Sequence, residues 1–263
     1  MLTLGLDTTA GTAATAIVQD GKLLCEYTMN CGNTHSTTLL PMIENMLSLL
    51  GKKPVDIDLY ACAVGPGSFT GVRIGAATVK GLAQPYDTPC VPVSALAALA
   101  QNLVGREGIL CPVMNARRQQ VYTALFDGDG TKIRRLQEDC AISVDALAAQ
   151  LREIEKPVYF TGDGYDLVSS LTDRVTPERL RYQSAASVAL LGYEIYTNAE
   201  DKTIYREETL LPTYLRKPQA QREREARLQM ENSEKEGDRY EENSDSGVYG
   251  FHRNPDLRGC TGK

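Results

Sequence analysis

The chain has 263 residues, a formal net charge of −6 and an isoelectric point of about 5.1. A protein that grips a nucleic-acid backbone by itself normally needs a basic face, so this charge balance disfavours a stand-alone nucleic-acid binder. No apolar run approaches roughly 18 residues, and the first residues lack a basic signal region, so we expect a cytoplasmic protein without a membrane span.

The cysteines and histidines disfavour two further classes of protein. Seven cysteines, with no Cys-x-x-Cys pair among them, do not predict a disulfide framework. The two imidazoles belong to His35 and His252, which are far apart in the chain. We therefore predict no metal site.

The first half of the chain predicts short strands followed by alternating helices and strands. The first strand ends in Asp7, and Asp20-Gly21 marks a hairpin turn. In chain order, three strands, a helix, a strand, a helix, a strand and a helix are predicted over residues 2–7, 12–18, 22–29, 35–51, 58–64, 69–83, 90–93 and 94–102. Because Pro41 is costly inside a helix, we expect the first helix to begin or kink near Leu39.

The second half repeats this order, with Asn115 in the place of Asp7. Three strands, a helix, a strand and a helix are predicted over residues 109–114, 120–126, 132–137, 143–153, 158–161 and 184–197. Two β-β-β-α-β-α halves predict a duplicated α/β domain with subdomains over 1–105 and 106–218. The charge-rich remainder, residues 219–263, is expected to be a disordered tail.

A glycine-rich turn joins the strand over 58–64 to the helix over 69–83. Its sequence, residues 65–75, is Gly-Pro-Gly-Ser-Phe-Thr-Gly-Val-Arg-Ile-Gly. Ser68 or Thr70 is placed to cap the helix, and a glycine-rich turn at a helix N-terminus can hold an anion. A tightly packed corner is the simpler alternative. The turn is not a Walker loop, because that loop requires Gly-Lys-Ser/Thr at its end.

This turn, followed by Lys80-Gly81-Leu82-Ala83, closely resembles the TsaB (YeaZ) family, whose members are bacterial partner subunits in the synthesis of threonylcarbamoyladenosine on tRNA. The resemblance covers roughly residues 1–230. It continues, in the family's order, through Asp7-Thr8-Thr9, His35-Ser36, Leu39-Leu40-Pro41-Met42-Ile43, Ala116-Arg117-Arg118 and Tyr214-Leu215-Arg216. The resemblance implies the duplicated fold shared by actin, Hsp70 and sugar kinases (the ASKHA fold).

The resemblance also implies partners and a division of labour. It implies that the chain has no catalytic residue of its own and binds and activates a TsaD-type transferase subunit. A TsaE-type ATPase would join them, with ATP at the interface and none bound by this chain alone. Transfer RNA would be met only through the complex, and the isolated chain would form a homodimer.

Residues of the first loop leave an enzyme of the same fold open as the alternative. In kinases and ATPases of this fold, the first Asp orients Mg²⁺, and Asp7 matches it in outline. The second half carries Asn115 where those enzymes carry another Asp, which disfavours ATP hydrolysis by this chain. The TsaD metal motif, His-x-x-x-His, is replaced here by Ala95 and Leu99, which cannot bind a metal.

Eleven residues are expected to form the loops nearest to any bound nucleotide. Arg117 and Arg118 among them could contact a carboxylate, a phosphate or a partner subunit, although a surface role without consequence is equally open. The set consists of Asp7, Thr8, Thr9, Gly65, Gly67, Ser68, Phe69, Thr70, Arg73, Arg117 and Arg118.

Two helix faces are predicted to bind the partner because neither has an obvious use within the chain. One is the wide apolar face of the first helix, and the other is the small-residue face of the second; together they suit a four-helix interface. The predicted interface residues are Leu39, Leu40, Met42, Ile43, Met46, Leu47, Leu50, Gly71, Val72, Gly75 and Val79. A bulky residue at Gly75 is expected to break the complex and leave the fold largely intact.

Overall fold

The computed structural model of the protein describes residues 1–32 and 34–216, together with residue 227. Met1–Arg216 form one compact unit. The tail predicted over 219–263 lies outside the described residues, apart from residue 227. None of the helices in the described ranges is both long and apolar enough to cross a membrane.

The first half contains a five-stranded sheet with the strand order β3-β2-β1-β4-β5. β1 pairs antiparallel with β2 and parallel with β4, so the carboxyl ends of β1 and β4 meet at one edge. The strands are β1 (Leu2–Asp7), β2 (Ala13–Gln19), β3 (Lys22–Met29), β4 (Leu59–Ala63) and β5 (Cys90–Val93), and the helices are α1 (His35–Leu49), α2 (Phe69–Ala83) and α3 (Ala95–Gln101).

Helix α1 begins at His35 and includes Pro41, so the prediction that its regular part begins near Leu39 is wrong. A proline in a helix interior costs about 3 kcal/mol because one backbone hydrogen bond is lost. The ring of Pro41 is exposed, whereas Leu39 and Met46 are almost completely buried. Burial of an apolar side chain stabilises by about 2 kcal/mol, so burial of the α1 face outweighs the lost bond.

The second half contains a four-stranded sheet with the order β8-β7-β6-β9. Its first three strands are antiparallel and β9 pairs parallel with β6, which repeats the arrangement around β1 and confirms the duplicated actin-like fold. The elements are β6 (Glu107–Asn115), β7 (Gln120–Asp129), β8 (Ile133–Ser143), β9 (Val158–Thr161), α4 (Val144–Leu151), α5 (Tyr165–Val168) and α6 (Ala185–Asn198).

Helix α6 comes from the second half but packs against the first sheet. A Cβ on Gly5 of β1 would lie 2.5 Å from the carbonyl oxygen of Ala185, and a Cβ on Gly192 would overlap the Cβ of Ala61 on β4. Helix α3 contributes fully buried side chains to a cluster that also contains Leu110 and Phe126 of the second sheet. The two halves therefore share a continuous core.

We expect the two helical glycines Gly192 and Gly81 to respond oppositely to alanine. Alanine favours a helix by up to about 1 kcal/mol over glycine, and the position of Gly81 on α2 is open. Gly81→Ala should therefore stabilise slightly. Gly192→Ala should destabilise by about 1–3 kcal/mol, because its Cβ overlaps Ala61 and overpacking carries that cost. Urea unfolding of both variants measures the difference, and equal midpoints would contradict this packing.

Candidate functional site

The candidate site lies where the parallel strands of the two sheets end. Asp7 ends β1 and Asn115 ends β6, while the glycine-rich turn follows β4 and Asp163 follows β9. The segment 213–216 links the two edges, since the N–H of Thr213 donates to the carbonyl oxygen of Val64 and Arg216 donates to that of Ala116. In related architectures such an edge is where ligands bind.

Asp7 is completely buried and is used by the chain itself. Its Oδ1 accepts hydrogen bonds from the backbone N–H of Thr9 at 2.8 Å and the hydroxyl of Thr9 at 2.6 Å. Its Oδ2 has no partner within the described ranges. Burial raises the pKa of Asp7 to about 6, although the bonds from Thr9 and the charge of His35 oppose the rise. The carboxyl group thus closes the turn after β1.

The glycine-rich turn rests directly on this first loop. The backbone N–H of Ser68 donates to the carbonyl oxygen of Thr9 at 2.6 Å, and the hydroxyl of Thr8 donates to that of Gly71 at 2.8 Å. A Cβ on Gly67 or on Gly71 would overlap the backbone of Thr9 or Thr8. The two glycines are needed because the two backbones touch, which favours the tightly packed corner that the sequence left open.

The side chain of Ser68, rather than that of Thr70, caps α2. Its Oγ accepts from the backbone N–H of Gly71 at 3.3 Å, whereas Thr70 is already the second residue of the helix. Because the N–H of Ser68 is already bonded to Thr9, one of the groups expected to bind an anion is occupied from within. The turn offers fewer free donors than its sequence suggests.

A strained turn follows β6. Arg117, Arg118 and Gln119 all have positive φ, between 55° and 62°, a conformation that costs residues with a Cβ about 1–2 kcal/mol each. The amide oxygen of Asn115 accepts from the N–H of Arg117 at 2.8 Å, and the N–H of Asn115 donates to Asp163 at 3.2 Å. These bonds hold the turn with the two arginine side chains exposed.

Two side chains of α2, Phe69 and Arg73, form a cluster at the surface with the distant Tyr214. The guanidinium of Arg73 lies 3.8 Å from the ring centre of Phe69, and its Nε donates to the hydroxyl of Tyr214 at 2.8 Å. The rings of Phe69 and Tyr214 are 4.7 Å apart. The sequence did not predict this contact, because 141 residues separate Arg73 from Tyr214.

His35 supports the first loop. Its Nε2 lies 2.8 Å from the carbonyl oxygen of Ala10, and its Nδ1 is buried without a partner in the described part of the chain. Among the described residues, no group of three or more His, Cys, Asp or Glu side chains could hold a metal ion. Ala95 and Leu99 are completely buried. His35 therefore has a structural contact with the first loop.

Most of the predicted interface residues are buried in the chain's own core, so the premise that these faces lack an intramolecular use is wrong. α1 and α2 pack side by side on the first sheet, whose apolar face must be covered. Leu40, at 52% exposure, and the partly buried Leu50 retain accessible surface. The residues committed to the core are Leu39, Met42, Ile43, Met46, Leu47, Gly71, Val72, Gly75 and Val79.

The expectation that a bulky residue at Gly75 would leave the fold largely intact is wrong. A Cβ at this position would lie 2.6 Å from Oγ1 of Thr8 and 3.0 Å from Cδ1 of Leu6. A large side chain would therefore disturb the core rather than an exterior surface. The exposed positions of α2 are others, among them Thr70, Arg73, Ala77 and Gly81.

Comparisons with known proteins agree with one another. The family model "TsaD: tRNA N6-adenosine threonylcarbamoyltransferase" matches residues 29–223. The tRNA threonylcarbamoyladenosine biosynthesis protein TsaB of Bacillus subtilis is 29% identical over 221 residues, 84% of this chain and 96% of that protein. Its Escherichia coli counterpart is 33% identical over 144 residues, 54% of this chain and 62% of that protein. The structure of YeaZ from Pseudomonas aeruginosa is similar with a TM-score of 0.70 and 26% identity, covering 81% of this chain and 99% of that one.

We expect Asp7→Asn to change how stability depends on pH. The folded-state pKa of Asp7, about 6, lies above the ordinary value of 3.8 for an aspartate. The fold therefore favours the neutral carboxyl, and wild type loses up to about 3 kcal/mol of stability as pH rises from about 4 through 6. Asn stays neutral and still offers an acceptor to Thr9.

The measurement is urea unfolding of wild type and Asp7→Asn between pH 4 and pH 8. The free energy of unfolding of the variant should rise relative to that of wild type across the lower half of this range and level off above pH 7. A difference that does not change with pH would show that Asp7 titrates normally in the folded protein.

Proposed function

The chain belongs to the TsaB (YeaZ) family, and we propose that it is the non-catalytic subunit that binds and activates a TsaD-type transferase. Its relatives are named as tRNA threonylcarbamoyladenosine biosynthesis proteins, so the chain takes part in that biosynthesis. The observation that carries the non-catalytic role is that Asp7 and the N–H of Ser68 are both engaged by Thr9 of the same chain.

The residues of the candidate site support a non-catalytic role for this chain. Phosphoryl transfer needs Mg²⁺ held by accessible carboxylates. Asp7 is completely buried, with one oxygen engaged by Thr9, and Asn115 replaces the second acid with a neutral amide. Arg117 and Arg118 add positive charge beside that amide, which disfavours a second cation there. On this proposal the candidate site has a structural role in this chain. ATP binds instead at the interface with a TsaE-type ATPase.

The outer face of α2 is the surface that we assign to the transferase. Thr70, Ala77 and Gly81 are small and exposed, and a Cβ on Gly81 would meet open space. Small residues let a second helix approach closely and pack its ridges into the groove. Helix α2 therefore remains part of the proposed interface, but through its exposed side rather than through the side buried in the core. When the transferase is absent, this face joins two copies of the chain, and tRNA is met only through the complex.

Ala77→Arg tests the proposal without touching the core. Ala77 is exposed on α2, so the variant should fold normally, while its long charged side chain should weaken binding to a TsaD-type transferase at least tenfold. Ala149→Arg is the matched control, since Ala149 is an exposed alanine on α4 in the second half. Size exclusion with light scattering reports the complex, and titration calorimetry reports its affinity.

Two outcomes would contradict the proposal. One is the absence of any complex between the wild-type chain and the transferase. The other is tight ATP binding by the isolated chain together with loss of activity in Asp7→Asn, which an enzyme of this fold would show. On the present proposal, Asp7→Asn supports formation of threonylcarbamoyladenosine by the reconstituted complex at close to the wild-type rate.

A further inference from the structure

Arg73 is an exposed side chain that is nevertheless held in one orientation. One face of its guanidinium stacks on Phe69, with 3.8 Å between the guanidinium carbon and the ring centre, and its Nε is bonded to the hydroxyl of Tyr214. An exposed arginine ordinarily samples many rotamers, and fixing one of them costs side-chain entropy. Here the two aromatic residues have already ordered it.

Tyr214 is itself held in place by the backbone around it. The N–H of Thr213 donates to the carbonyl oxygen of Val64 at 2.7 Å, and a Cβ on Gly65 would lie 2.5 Å from the carbonyl oxygen of Thr213. Two residues after Tyr214, Arg216 donates to the carbonyl oxygen of Ala116 at 2.7 Å. The segment 213–216 is thus fixed to the first half at one end and to the second half at the other.

The terminal nitrogens of Arg73 remain available. Within the described ranges Arg73 forms a single hydrogen bond, through Nε to Tyr214, and no ion pair. Helix α2 contains no Asp or Glu, and its charged residues are Arg73 and Lys80. In a chain of net charge −6, the residues of α2 carry a net positive charge, and Arg73 offers an oriented pair of donors.

We propose that Arg73 binds a carboxylate side chain of the transferase subunit and that Tyr214 is the positioning residue that orients Arg73 for it. This inference rests on the proposed function. Arg73 lies one helical turn from both Thr70 and Ala77, at the edge of the face assigned to the transferase. A guanidinium with two free donors matches the two oxygens of an Asp or Glu.

A carboxylate fits this place better than an RNA phosphate. A nucleic-acid backbone is held by several cations along its path, whereas α2 offers Arg73 and Lys80 alone. Interfaces between proteins are enriched in aromatic residues and arginine at the positions that carry most of the affinity. The combination of Phe69, Arg73 and Tyr214 has that composition.

The test compares affinities for the transferase by titration calorimetry. Arg73→Lys keeps the charge but loses the paired donors and the flat stacking surface, so binding should weaken about tenfold. Tyr214→Phe keeps the ring and removes the acceptor for Nε, so binding should weaken about threefold. Lys80→Gln removes a charge from the same helix and should change the affinity less than twofold.

A double substitution separates positioning from general structural support. If Tyr214 acts through Arg73, Tyr214→Phe should have no further effect in the Arg73→Lys background, so the losses should not add. Independent, additive losses would overturn the positioning role. Thermal unfolding of each variant confirms that the chain remains folded.

Other outcomes separate this inference from the proposed function. If wild type and Lys80→Gln bind the transferase and Arg73→Lys binds equally well, the carboxylate contact is wrong and the proposed function stands. If Arg73→Lys weakens only the binding of tRNA to the assembled complex, the ligand is a phosphate and the inference is overturned. If wild type fails to bind the transferase, the proposed function itself fails.

Discussion

The contact between the glycine-rich turn and the first loop is the constraint on which the site depends. The carbonyl oxygens of Thr8 and Thr9 occupy the space where side chains at residues 71 and 67 would otherwise begin. Hydrogen bonds from Ser68 and Thr8 then lock the two backbones together. Any residue with a Cβ at Gly67 or Gly71 would separate the loops, because neither backbone can move without disturbing the strand that precedes it.

This contact limits how many polar groups of the candidate site are free to bind a ligand. A loop that holds phosphate must keep its polar groups free for the ligand. Here Asp7 closes its own turn, and Ser68 bonds to Thr9. In the second half, Asn115 has the same role as Asp7, since its side chain supports the strained turn that carries Arg117 and Arg118. Polar groups in equivalent places of the two halves are thus engaged by the chain itself.

Much of the fold followed from local pattern. The turn residues, the caps and the periodicity predicted β3, α2 and β9 with the bounds that the structure has, and the repeat of three strands predicted the duplication. Pro41 misled the prediction because the cost of a proline is local, whereas the burial that outweighs it depends on the sheet beneath α1. The two helix faces misled it for a similar reason. An apolar stripe indicates that a helix face is buried, but it does not indicate whether the chain itself or a partner covers that face.

The sequence by itself determined the elements, their duplication and the presence of an unusual turn at residues 65–75, because these depend on neighbouring residues and on the conformations that glycine and proline allow. Only the tertiary structure decided which sides of α1 and α2 stay exposed, that the segment 213–216 links the two halves, and that Tyr214 holds Arg73 across 141 residues of sequence. Such contacts arise when whole elements pack, and packing is set by the combined burial of many side chains. A local sequence pattern does not specify this packing.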